Sequence, residues 1–91
     1  MPNIELVVTH SVGLHARPAA EFVKMASSFP CEIQVCNLTE AGELKNAKSI
    51  LSVLTLGVNQ NHRILVDAEG EKADEALQAI KNLVENNFGE E

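Results

Sequence analysis

Gly13-Leu14-His15-Ala16-Arg17-Pro18-Ala19 stands where the hydrophobic period of the chain changes. Before it, Ile4, Leu6 and Val8 alternate with Glu5, Val7 and Thr9, the pattern of a half-buried strand. After it, Ala19, Phe22, Val23 and Ala26 form one apolar stripe at helical spacing. The helix runs from Ala16 to about Ser28, and Pro30 ends it. The junction is therefore the mouth of a helix. Gly13 permits backbone geometry and close approach that a side chain forbids. Pro18 fits a first turn, where its missing N–H leaves no intrahelical bond unmade. His15 and Arg17 fall at the positive end of the helix dipole, beside N–H groups without helical acceptors. A cation such as Arg17 is wrongly placed there unless an anion joins it. The expectation is a phosphate cradle around a histidine, with the N–H groups of Ala16 and Arg17 and the Arg17 guanidinium facing the anion.

Glu32 to Leu38 alternates again, with Ile33 and Val35 inward. Gly42 marks a turn, and Leu44 is expected in a short partnering strand. Ser49 is placed to cap a short helix from Ile50 to Leu56, closed by Gly57. Ser52 occupies its third position, so there is no full capping box. Val53 and Leu56 share one side of this helix, while Ile50, Leu51 and Leu54 share another that is expected to be partly exposed. Arg63 to Ala68 reads as a fourth strand, with Ile64 and Val66 inward. A last helix from about Lys72 to Asn86 buries Ala73, Ala76, Leu77, Ile80, Leu83 and Val84, with Phe88 beneath it. The order β-α-β-β-α-β-α predicts an α+β layer fold, with helices on one face of a four-stranded, mostly antiparallel sheet.

Residues 1–91 make one domain, and the aromatic content of 3% leaves the core to aliphatic side chains. A net charge of −6 argues against nucleic acid and anionic membranes as the main partners. Arg17, Lys24, Lys45 and Lys48 are expected to form a local basic patch on an acidic body. Cys31 and Cys36 are placed to point to opposite faces of one strand, and no Cys-x-x-Cys supports zinc or dithiol chemistry. No basic leader precedes a long apolar run, and no stretch approaches the roughly 18 apolar residues of a membrane span. The expectation is a reduced, soluble, cytoplasmic protein without metal or cofactor. His10 and His62 read as solvated surface histidines.

The segment Gly13–Ala19 resembles the active-site signature of the HPr family, phosphocarriers of the bacterial phosphoenolpyruvate-dependent sugar phosphotransferase system. A second stretch, Asn46-Ala47-Lys48-Ser49-Ile50 through Leu54-Thr55-Leu56-Gly57, resembles that family's regulatory-serine segment. The resemblance covers essentially the whole chain. It implies an open-faced β-sandwich with three helices on one face; a monomer is the default expectation, since the sequence does not fix the oligomeric state. It further implies that His15 takes a phosphoryl group from phosphorylated enzyme I and passes it to the IIA component of a sugar permease. Such a protein is a stoichiometric carrier rather than a free-standing enzyme.

The resemblance also implies ATP-dependent phosphorylation of Ser49 by an HPr kinase/phosphorylase, which would inhibit docking to enzyme I and create binding to a transcriptional regulator. Ala20, Lys24, Ser27, Ile50, Leu51 and Leu54 form the expected docking face, while Gly13 and Pro18 are structural at the site. Two departures stand out: the Asn37–Lys45 connection is a few residues longer than in shorter members, and Val12 stands where a polar residue is common. Three alternatives share parts of this pattern. They are a regulatory interaction module controlled through Ser49, a carrier for a nitrogen-branch or dihydroxyacetone kinase phosphorelay, and a small hydrolase using His15 as base.

Overall fold

Alternation and helical stripe meet in a computed structural model that describes residues 2–90. The strands are β1 (Asn3–Val7), β2 (Glu32–Asn37), β3 (Lys45–Asn46) and β4 (Arg63–Glu69); the helices are α1 (Ala16–Ser27), α2 (Ile50–Leu54) and α3 (Ala73–Glu85). They form an open-faced α+β sandwich: one sheet in the order β1-β4-β2-β3, every pair antiparallel, with the helices on one face.

Inward positions follow the period of two. Leu6, Ile33, Val35, Ile64, Val66 and Ala68 are buried, and Phe22 with Ala19 and Ala26 of α1 and Leu77, Ile80 and Val84 of α3 close over them. Phe88 completes the core beneath α3. Glu5, Glu32, Gln34 and Arg63 occupy the other sheet face. Cys31 joins the core cluster whereas Cys36 is buried outside it, and both thiols are free.

The strand order positions the site. β4 enters between β1 and β2, with Val7 paired to Arg63, so the loop leaving β1 runs beside the loop entering β4. Cross-loop bonds tie the two together: Val8 N–H to His62 O (3.0 Å), Asn61 N–H to Val8 O (2.6 Å) and Leu14 N–H to Val58 O (2.9 Å).

The expected β3 and α2 need correction. Leu44 lies outside the two-residue β3 and is 42% exposed. α2 ends at Leu54 with Thr55 as its C-cap, so Leu56 lies beyond the helix and is buried by the chain's turn rather than by a helical face. The long connection after β2 is organised by Asn37, which is fully buried. Its Oδ1 accepts from Thr39 N–H (3.1 Å) and Glu40 N–H (3.3 Å), and its carbonyl accepts from Gly42 N–H (3.0 Å). Among the described residues no helix is long and apolar enough to cross a membrane.

Candidate functional site

His15 is the N-cap of α1, in extended backbone (φ −129°, ψ 168°), with its side chain half-buried and open to solvent. Gly13 makes this approach possible. Its φ is +74°, and a Cβ there would stand 2.3 Å from the Val58 carbonyl oxygen and 2.8 Å from Asn59 Cα. Only glycine lets the two loops close.

That closeness brings Asn59 to the histidine. The Asn59 Oδ1 lies 3.1 Å from His15 Nε2. An amide oxygen only accepts, so Nε2 donates in this contact, and in the neutral tautomer that follows the lone pair falls on Nδ1. Asn59 is itself anchored, because its N–H donates to His62 Nδ1 (3.1 Å), which also accepts from the buried Asn37 Nδ2 (3.1 Å). A chain of polar contacts from the core thus ends on the imidazole.

The first turn of α1 contains no acidic residue, and Pro18 within it is buried. The N–H groups of Ala16 and Arg17 have no helical acceptor, and none of the described hydrogen bonds uses them. Ala16 has φ +51°, a left-handed conformation that costs an alanine about 1–2 kcal/mol. Strain of this kind beside the histidine is stored by the flanking fold.

Arg17 is 75% exposed, and its Nε lies 3.6 Å from Glu90 Oε2. Among the described residues no hydrogen bond or ion pair joins Arg17 to His15. The expected anion at the guanidinium is supplied here by a carboxylate.

His10 and His62 are not solvated surface residues. His10 is 8% exposed and bonded through both ring nitrogens, to Val12 N–H and to Glu90. His62 is half-buried between Asn37 and Asn59. Contacts between distant parts of the chain bury them, which a local reading of polarity does not register.

Ser49 caps α2, its Oγ accepting from Ser52 N–H (3.3 Å). Ile50, Leu51 and Leu54 are 39%, 73% and 38% exposed, and α2 packs beside α1, whose Ala20, Lys24 and Ser27 are exposed. Lys48 departs from the expected basic cluster: its Nζ donates to the Phe29 carbonyl (2.7 Å), at the end of α1 away from His15. Among the described residues no group of three or more His, Cys, Asp or Glu is placed to hold a metal.

Residues 3–86 match the family model described as the PTS HPr component phosphorylation site. The chain belongs to the HPr family. Phosphocarrier protein HPr of Pseudomonas aeruginosa is 38% identical over 90 residues, covering 99% of this chain and 98% of that protein. The crystal structure of an HPr from Thermoanaerobacter tengcongensis superposes with a TM-score of 0.94 at 41% identity, covering 100% of this chain and 99% of the other. A multiphosphoryl transfer protein of Vibrio cholerae is 43% identical over 83 residues, which span 91% of this chain and 21% of that protein. Membership of the HPr family makes this chain a phosphocarrier of the phosphotransferase system. The HPr fold here holds an imidazole at an open helix mouth, with Nε2 engaged and Nδ1 in none of the described hydrogen bonds.

Proposed function

We propose that His15 Nδ1 is the phosphoryl acceptor, loaded by phosphorylated enzyme I and unloaded onto the IIA component of a sugar permease in the cytoplasm. The observation that carries the reading is the bond from His15 Nε2–H to Asn59 Oδ1. In the transfer, the Nδ1 lone pair attacks phosphorus, an N–P bond forms, and the donor's bond to phosphorus breaks with its electron pair leaving on the donor. The ring gains positive character as the bond forms, and Asn59 Oδ1 faces the proton that carries it.

The phosphoryl dianion arrives at a helix mouth whose Ala16 and Arg17 N–H groups enter none of the described hydrogen bonds and whose first turn carries no carboxylate. Arg17 is exposed and, among the described residues, paired with Glu90, a carboxylate it can exchange for the phosphoryl oxygens. The open setting suits a carrier, since a group held in a deep pocket would not be released to a second partner.

The exposed Ile50, Leu51 and Leu54, beside Ala20, Lys24 and Ser27 of α1, serve as the docking face for both partners. Phosphate on Ser49 would stand at the edge of this face. Helix N-termini tolerate such a charge, so the fold would persist while docking weakened.

Incubation with enzyme I, Mg²⁺ and labelled phosphoenolpyruvate tests the role. Acid-labile, base-stable label that disappears in His15→Ala supports it, and label that survives the substitution overturns it.

A further inference from the structure

His10 is a second histidine of the same loop, buried, and unused by the transfer itself. Its Nδ1 accepts from Val12 N–H (3.0 Å), and its carbonyl accepts from Gly13 N–H (2.9 Å), so one residue closes the turn that presents Gly13 to Val58. With Nδ1 accepting, Nε2 carries the proton and donates to Glu90 Oε1 at 2.6 Å.

The ring also meets Phe88 edge to face, with centroids 6.0 Å apart and planes at 72°. The adjacent Thr9 hydroxyl donates to Asn87 Oδ1 (3.0 Å). Asn87, Phe88 and Gly89 all have positive φ, from +52° to +79°. Two non-glycine residues in that region carry strain that local propensity does not supply. The clasp on Thr9 and His10 therefore holds this turn in place. Its consequence is Glu90, whose second oxygen reaches Arg17.

We propose that His10 is a positioning residue for the chemistry at His15. Its ring ties the Ser11–Gly13 loop to the 3-10 turn Asn87–Gly89 and, through Glu90, sets where Arg17 waits for the phosphoryl group. The inference rests on the reading of His15 as acceptor. It assigns His10 no contact with the reacting atoms.

The test uses labelled phosphoramidate, a small phosphoryl donor that needs no docking face, on the wild type and on His10→Ala, His10→Gln, Glu90→Ala and His15→Ala. The Arg17 Nε–H signal in ¹H–¹⁵N spectra is followed in parallel. His10→Ala is expected to label about tenfold more slowly, with the Arg17 signal moved toward that of a free guanidinium. Glu90→Ala, which keeps the His10 ring and its contact with Phe88, moves the Arg17 signal in the same direction. His10→Gln, whose amide N–H can reach Glu90, restores that signal toward the wild-type position. An Arg17 signal unmoved in both His10→Ala and Glu90→Ala, or wild-type labelling in a folded His10→Ala, overturns the proposal. Label retained in His15→Ala strikes the acceptor reading instead, and the Arg17 signal then still decides whether His10 places the guanidinium.

Discussion

Asn59 Oδ1 and His15 Nε2 lie 3.1 Å apart although 44 positions separate the two residues in the chain. The contact exists because β4 inserts between β1 and β2 and because Gly13 lets the two loops touch. Under the proposed function it gives the two ring nitrogens different tasks.

Asn59→Leu removes the acceptor while keeping a side chain of similar size. Phosphorylation of His15 is expected to slow by about tenfold, the loss of one hydrogen bond to a group gaining charge. Ring ¹⁵N shifts should move from the Nε2–H tautomer toward a mixture. Unchanged shifts and rate would show that Asn59 does not orient the imidazole.

Gly13→Ala places a methyl group against the backbone of Val58 and Asn59 at a left-handed φ. The combined strain and overpacking predict a loss of about 2–4 kcal/mol, measured by urea unfolding. The His15–Asn59 contact should break with it, so the ring ¹⁵N shifts of the folded fraction should resemble those of Asn59→Leu.

Ser49→Ala deletes the cap of α2, whose Oγ accepts from Ser52 N–H. The expected cost is about 1 kcal/mol, seen as a fall of about 4–8 °C in Tm for a domain of this size. A phosphate on the same hydroxyl is expected to leave Tm nearly unchanged and to slow transfer from enzyme I. Equal transfer rates with and without it would remove the inhibitory role.

Leu51 is 73% exposed at the tip of the aliphatic cluster. Leu51→Glu should leave thermal stability within about 0.5 kcal/mol of the wild type. The KM for this protein as substrate of enzyme I should rise about tenfold or more if Leu51 is a docking anchor. An unchanged KM would move the docking face elsewhere.

Much of the fold is legible in the chain because periodicity is a local signal. The alternation of Ile4, Leu6 and Val8 and the stripe through Phe22 and Ala26 place β1 and α1 within a residue or two of their bounds. The short elements are harder to read. A two-residue β3 carries no measurable period, so pattern alone puts Leu44 in a strand it only precedes. α2 stops at Leu54 because the chain must turn through Gly57 to bring the Val58 carbonyl to Leu14 N–H, a partner far away in sequence.

At the site, Gly13, His15, Arg17 and Pro18 point by residue type alone to the anion site proposed at the mouth of α1. Asn59, His62, His10 and Glu90 do not, since each acts through a partner brought near by the sheet. A buried histidine satisfied by a residue 80 positions away looks in sequence like any polar residue in a loop.

Whether His15 Nδ1 takes the phosphoryl group can be read from ³¹P–¹⁵N coupling on ¹⁵N-histidine-labelled protein phosphorylated by enzyme I and phosphoenolpyruvate. A one-bond coupling to His15 Nδ1 is expected, with the proton retained on Nε2. Phosphorus bonded to His15 Nε2, to His10 or to His62 would refute the assignment.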